Sequence, residues 1–530
     1  MKPIGVIDFE TDPFLFDRIP MPFACELLTA DGEIRRHWSP RCAKLLAADI
    51  AEIGEIDLYA HNGGRFDFHY LLPFVNEGSI KIIRGRIAEM MIGDARLIDS
   101  YLLVPVALAE YKKTVIDYAK FEENERDKHK AEILKYLHDD CVDLLELITG
   151  MHARLGKKLT IGSAAMAAIK KAGLRISRQN KQHDDRFRPY YYGGRVQCFE
   201  SGIWKKCDFQ YADINSAYPH AMLSPHPYGA KYRTGRKLPA DSKLGPQFVT
   251  LEAVARGCLP VRDKVELLFP DDGEPRIYSV TGHEIAAGLE TGALDIKRII
   301  AVSTPAELQD YSDFVLPTFA KRQAAKKENN ALDAMAYKLL LNSAYGKFAT
   351  DCADYRDYEV CLNTTCPGDE WELEADIEGT GLTIWSRPSE RNDFGYYDVA
   401  VAASITGSVR AKLWRAIAAA NRPIYCDTDS LIYGGECSIE YGDKLGQWKN
   451  EGCIDSLAIA AKKIYAARVD GEWKTAAKGA QLSREAIFKV ASGKTVNWKS
   501  KAPTFKLTGA FFVERDIGKS IETRRPAKRR

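Results

Sequence analysis

The segment PIYCDTDSLIY, residues 423–433, sets two aspartates, Asp427 and Asp429, inside an apolar run. Isoleucine, tyrosine and threonine favour a strand there. Strand side chains alternate, so both carboxylates are expected on one face, roughly 6.7 Å apart. Like charges at that spacing repel by about 2.5 kcal/mol at an effective dielectric of 20. Partial burial makes each unpaired charge costlier still. Two readings fit: an acidic hairpin tip at the surface, or a pair neutralised by a divalent cation. Mg²⁺ prefers carboxylate oxygens and often takes only one or two of them, with substrate phosphates completing its shell. The second reading needs another carboxylate on a similar strand. YADINSAYPHAM, residues 211–222, supplies Asp213, and Pro219 then forces a turn. Three such carboxylates suit two cations about 3.5–4 Å apart, which clamp the attacking and leaving oxygens of an in-line phosphoryl transfer.

Cationic chemistry lies between these carboxylates. In AMAYKLLLNSAYGKFA, residues 334–349, Lys338, Asn342 and Tyr345 fall on one helical face, with leucines on the others. Upstream, FAKRQAAKKENN places Arg322 and Lys326 one helical turn apart. Two basic helices joined by a short polar turn make an antiparallel hairpin. It reads either as a triphosphate cradle or as a solvated basic surface. The N-terminal third repeats the acidic pattern. GVIDFETD carries Asp8 and Glu10 on one strand face, and YAHNGGRFDFHYLL carries Asn62, Phe66 and Asp67. ILKYLHDDCVDLLELI is an amphipathic helix with Tyr136 and Asp140 four residues apart, and Asp139 and Asp143 are rivals for the same place.

The elements that position these groups must come from a long soluble-type chain. At 530 residues, 45% hydrophobic and 28% charged, it predicts roughly three or four domain-sized units. No apolar run approaches the ~18 residues of a membrane span, and early acidic residues argue against a signal peptide. The 12 cysteines lack CxxC spacing and read as reduced thiols of a cytoplasmic protein. Net charge is +2, but IETRRPAKRR at the end carries +4 of it, leaving −2 elsewhere. Any nucleic-acid binding must therefore use local basic grooves. The tail itself reads as a mobile basic end.

DINSAYP, KLLLNSAYG and YCDTDS, in that order, resemble motifs A, B and C of family B DNA polymerases. The resemblance implies that Asp213 and Asp429 are the main metal ligands, with the Ile214 carbonyl beside them and Asp427 ancillary. It implies that Lys338 holds the incoming triphosphate, helped by Arg322 and Lys326. Asn342 and Tyr345 would line the nascent base pair, and Tyr218 would exclude a 2′-hydroxyl. Ala217 stands where the family commonly has leucine. The N-terminal constellation resembles the proofreading 3′–5′ exonuclease fused to these enzymes. Asp8, Glu10, Asp67 and Asp140 would bind two metals, Tyr136 would orient water, and Asn62 and Phe66 would grip a frayed primer end. YYYGGRV resembles the YxGG element, so Tyr191, Gly193 and Gly194 would contact the primer strand; alone it is also a plain glycine turn. KKIYAARV resembles the KxY element, with Lys463 and Tyr465 on one strand face and Lys463 neutralising a primer phosphate. SITGSVR resembles a template-touching segment, with Thr406 and Arg410 as contacts.

The fold expected is α/β and α+β multidomain, a ribonuclease-H-like exonuclease plus a right-hand polymerase. Residues 1–160 form the exonuclease, 161–224 the linker and palm with motif A, and 313–348 the fingers. Residues 399–440 form the palm with motif C, and 441–530 a mostly β thumb with the basic tail. Asp8 lies near the start, so no domain is expected ahead of the exonuclease. Asp213 and Lys338 stand 125 residues apart, and Gly346 and Asp427 stand 81 apart. Both spacings leave room for inserts, at 225–312 and 350–398. The first contains a helix–strand pattern at 280–302 and the second a β-hairpin pattern at 358–386. Two inserts there resemble the protein-primed branch of phages and linear plasmids. That branch implies a terminal protein as primer, held partly by the first insert. The second would close against the thumb around DNA and permit strand displacement. Implied partners are template and primer DNA and deoxynucleotides; implied cofactors are two Mg²⁺ per active site, with Mn²⁺ as an alternative. A monomer in the host cytoplasm is expected. A nucleic-acid-primed or primer-independent relative, a nuclease with a decayed polymerase half, and a nucleic-acid-binding structural protein are the other classes. The last two predict a broken carboxylate set, and none is broken here.

Overall fold

The computed structural model describes residues 2–518 except 113–114, 178, 241–243, 264–265, 352–354, 363–364 and 390–396. The basic tail at 521–530 lies outside the described residues. Among the described residues no helix is long and apolar enough to cross a membrane.

The N-terminal body is built on the strand Ile4–Thr11. It pairs antiparallel with Pro22–Thr29 and parallel with Asp57–Ala60. Alternation sorts its side chains. Ile7 and Phe9 pack with Leu46 and Ile50 of the helix Cys42–Ile53. Val6 packs with Ile133, Leu137 and Leu144 of the long helix Lys130–Leu155. Asp8 and Glu10 share the parity of Val6, so they face the long helix.

That sheet has ten strands, and three come from the second insert. Arg356–Leu362 pairs with Gly78–Ile83, matching Tyr358 to Ile80 and Val360 to Gly78. Glu372–Ile377 and Leu382–Pro388 form the expected hairpin beyond it. Val360, Ala375 and Ile384 bury into the exonuclease core, which explains the attachment. The backbone of the insert extends the exonuclease sheet, and Leu507 of the C-terminal part packs on the same apolar cluster.

A second sheet carries motifs A and C. Its order is Glu472–Ala477, Ile464–Val469, Trp448–Ala461, Phe209–Ile214, Ser430–Cys437, Ala420–Asp427 and Val196–Cys198. The helix Val399–Ala419 backs it and is buried along most of its length. The thumb boundary expected at 441 therefore falls ahead of three strands of the palm sheet. Ile454, Leu457 and Ile459 share one core with Phe209, Ile424 and Ile432, so packing assigns them to the palm. The C-terminal part beyond them holds the helix Arg484–Ala491 and two small strand pairs.

The first insert forms a four-stranded antiparallel sheet with the helix Gly282–Glu290, started by a Thr281/Glu284 capping box. The fingers are the helices Ser312–Lys327 and Ala331–Phe348, packed as an antiparallel pair. Asn330 caps the second, accepting from the Asp333 amide.

Candidate active sites

The exonuclease-like centre forms where Ile4–Thr11 meets Lys130–Leu155. One ligand atom each of Asp8, Glu10 and Asp140 lies within 4.8 Å of the others. Asp67 opens the short helix Asp67–Leu71 on the same site. The chain reaches it through left-handed Asn62 (φ 63°) and through Gly64, where a Cβ would sit 1.9 Å from the Ile87 carbonyl. Burial, with Asp67, Glu10 and Asp140 nearby, pushes the Asp8 carboxyl well up. Glu10 rises for the same reasons, with burial the largest. Burial lifts Asp67 to about 7 and Asp140 to about 6. Glu10 Oε1 is buried with no hydrogen-bond partner. The rivals are engaged elsewhere: Asp139 pairs with Lys135 and Asp143 with Lys112. Tyr136 lies beside Asp140 and offsets part of its rise, and its hydroxyl lies 3.4 Å from that of Tyr118. Phe66 packs edge-on against Phe14, Tyr70 and Phe505.

The second centre sits on the palm sheet. PIYCDTDSLIY is not one strand but a tight hairpin. Ala420–Asp427 turns at Thr428 and Asp429 into Ser430–Cys437, with Asp427 paired to Ser430. Thr428 takes the left-handed conformation, φ 62°, that turns usually assign to glycine or asparagine. With no glycine there, the sequence carries no turn signal. The hairpin is not a free surface tip. Ile214 donates its amide to the Asp429 carbonyl at 2.8 Å, and Thr428 to the Arg195 carbonyl at 2.7 Å. One rung crosses the sheet: Asp427 opposite Ser430, Ser430 opposite Asp213, Asp213 opposite Lys449. Cross-strand neighbours share a face, so this rung presents its side chains together. Burial, then Asp429 and Glu451, lifts Asp213 to about 7. Burial and Asp427 lift Asp429 to about 6.

The fingers close one side. Tyr218 follows left-handed Ser216 (φ 54°) and stacks on Tyr345, with centroids 3.9 Å apart and planes 4° apart. Arg322 Nη1 donates to Ser216 Oγ at 3.4 Å. The charges of Arg322, Lys338 and Lys449 depress the Lys326 ammonium, Arg322 most. Lys338 and Asn342 are exposed on their helix, beside half-buried Tyr345.

Three expectations need correction. Lys463 does not alternate with Tyr465 along a strand. It occupies the turn before Ile464–Val469 (φ 60°), and its Nζ pairs with Asp427 Oδ1 at 2.9 Å. Tyr465 packs on Tyr425. Thr406 and Arg410 cannot touch a template here, being only 1% and 2% exposed. The Thr406 hydroxyl donates to the Ala403 carbonyl. Arg410 pairs with Glu284 and donates to the carbonyls of Tyr192 and Gly193 at 2.6 and 2.9 Å. It thus fixes the YxGG segment from behind. Arg262 holds the Tyr191 carbonyl, and a Cβ on Gly194 would lie 2.8 Å from the Thr428 methyl.

Residues 99–361 match the family described as DNA polymerase type B, organellar and viral. The chain is 37% identical over 554 aligned positions to the DNA-directed DNA polymerase of Enterobacteria phage PRD1, covering 97% of each. The chain belongs to the protein-primed family B DNA polymerases. A probable DNA polymerase of Agaricus bitorquis is 24% identical, covering 58% of this chain and 47% of that one. The fold of this polymerase is similar to that of Phi29 DNA polymerase complexed with primer–template DNA and incoming nucleotides. The TM-score is 0.74 at 19% identity, covering 98% of this chain and all of that one. Phi29 DNA polymerase in an orthorhombic crystal form is similar with a TM-score of 0.73 at 19% identity, over 98% of this chain and all of that one.

Sequence reasoning missed several residues of the polymerase that bear on these centres. Lys449 and Glu451 flank Asp213, Arg195 carries the hairpin tip, and Glu284 seats Arg410. Only the charged alternation of WKNEG offered a signal for the first two.

Proposed function

We propose that this DNA-directed DNA polymerase adds nucleotides at the palm centre and excises mispaired 3′ ends at the N-terminal centre. We further propose that it starts chains on a terminal protein. The rung that aligns Asp427, Ser430 and Asp213, with Asp429 at the adjoining turn, carries the reading. Both donor sets are oxygen only; Asp8, Glu10 and Asp140 converge, with one buried Glu10 oxygen lacking a partner, and in the palm burial raises Asp213 and Asp429. Such sets fit hard divalent cations. When bound, two Mg²⁺ ions, or Mn²⁺, supply Lewis-acid stabilisation of charge on the reacting phosphate oxygens.

Asp213, Asp429 and the Ile214 carbonyl would hold the palm ions, with Asp427 ancillary and steadied by Lys463. Lys338, with Arg322 and Lys326, binds the triphosphate; Asn342 and Tyr345 line the new pair. Tyr218, rigid in its stack, meets any 2′-hydroxyl. Asp8, Glu10, Asp67 and Asp140 serve excision, Tyr136 orients the attacking water, and Asn62 and Phe66 grip the unpaired end. Tyr191, Gly193 and Gly194 guide the primer strand between the centres. The domain division above serves this plan, with the palm running on to 477 and the insert at 225–312 widening a docking surface for a protein. The test is transfer of one labelled deoxynucleotide onto a cognate terminal protein. Transfer is expected. No transfer, alongside normal extension of a DNA primer, favours the nucleic-acid-primed alternative.

A further inference from the structure

Lys449 belongs to none of the motifs recognised in the sequence. It lies directly opposite Asp213 in the antiparallel pairing of Phe209–Ile214 with Trp448–Ala461. Its side chain therefore emerges on the face that carries the catalytic carboxylates. The pairing slips between Tyr211 and Ala212: Tyr211 faces Gly452 and Ala212 faces Asn450, so Glu451 has no partner on that strand. A bulge of this kind re-aims the side chains beside it. Glu451 here reaches Lys449 and forms an ion pair. Their side chains are 56% and 26% exposed. An exposed pair of that kind is weak and exchangeable.

Lys449 also stands within electrostatic reach of the fingers, since its charge is felt at Lys326 together with those of Arg322 and Lys338. Arg322, Lys338 and Lys449 thus all act on Lys326, while the sheet register sets Lys449 opposite Asp213. These cations repel one another, and Glu451 is the carboxylate paired with Lys449. A polyanion between them turns that repulsion into attraction. Asp213, opposite Lys449, fixes where the reacting phosphate lies.

We propose that Lys449 binds the phosphate tail of the incoming nucleotide and the pyrophosphate that leaves, closing from the palm a ring of cations begun by the fingers. Glu451 holds the ammonium between turnovers and yields it to phosphate. This inference rests on the assignment of Asp213 to nucleotide addition.

The test is single-nucleotide extension of a primed template by the full chain, with KM and kcat separated, and pyrophosphorolysis with inorganic pyrophosphate. Lys449→Ala is expected to raise the nucleotide KM and the half-saturating pyrophosphate by about tenfold, the scale of one charge-assisted hydrogen bond. kcat should stay within about threefold, since binding is lost more than chemistry. Lys449→Arg restores both constants, and Glu451→Gln lowers the nucleotide KM by releasing the cation. An unchanged nucleotide KM in Lys449→Ala overturns the proposal. So does a defect confined to the magnesium requirement, which ties Lys449 to Asp213 alone. An equal rise in KM in Glu451→Gln also overturns it, because the pair then acts as a brace. Asp213→Ala, run in parallel, separates the levels. If it abolishes extension while Lys449→Ala matches the parent, only the role of Lys449 falls. If it extends like the parent, the assignment of the centre falls too.

Discussion

Tyr218 lies flat on Tyr345, which limits the freedom of its ring, and it is proposed to exclude a 2′-hydroxyl. Tyr218→Val opens the space. Ribonucleotide insertion relative to deoxynucleotide should rise by about tenfold for each 1.4 kcal/mol of clash relieved. Competing single-nucleotide incorporation measures it; unchanged discrimination assigns the gate to another residue. Asp67 yields a pH prediction. Its carboxyl ordinarily titrates at 3.8 and is lifted by burial to about 7. The metal-free folded protein then holds a proton that the unfolded chain releases, so stability falls as pH rises from about 4 to about 7. Below that window both states are protonated and the loss is absent. Asp67→Asn, neutral throughout, should lose less stability across it, read as denaturation midpoints in chelator. Equal slopes in parent and variant would show that Asp67 is not desolvated. The carboxylates are legible in the sequence because each interrupts an apolar pattern. Arg410 and Thr406 are not, because nothing local distinguishes an arginine that faces DNA from one buried on Glu284.

At the scale of elements, periodicity exposes the fingers pair, the first-insert helix and the hairpin within 372–388. It does not reveal partners. The strand Arg356–Leu362 reads the same whether its edge meets a thumb or an exonuclease, and only the register of Tyr358 with Ile80 decides. The Thr428 turn hides because a β-branched residue occupies the left-handed position. The insert is proposed to border the DNA path from the exonuclease side. Deleting 350–398 should leave short-gap filling intact and shorten displacement products on a nicked duplex sharply. The exposed edge of Gly78–Ile83 should also lower the melting temperature of the deletion variant. Products as long as the parent's would remove the insert from displacement.

At the scale of the whole molecule, two carboxylate centres sit on two different sheets, one N-terminal and one palm. A body charge of −2 outside the basic tail gives DNA little long-range attraction, so grip must come from shape and local cations. The sequence shows both centres but not that the exonuclease sheet borrows strands from residues 356–388, a contact separated by more than 270 positions. The central claim is that the centres work independently within one chain. Its most direct measurement follows extension of a primed template and degradation of single-stranded DNA in two variants side by side. Asp213→Ala should lose extension and keep degradation. Asp8→Ala with Glu10→Ala should lose degradation and keep extension. Loss of both activities in either variant, or survival of the targeted one near the parent's rate, would contradict the account.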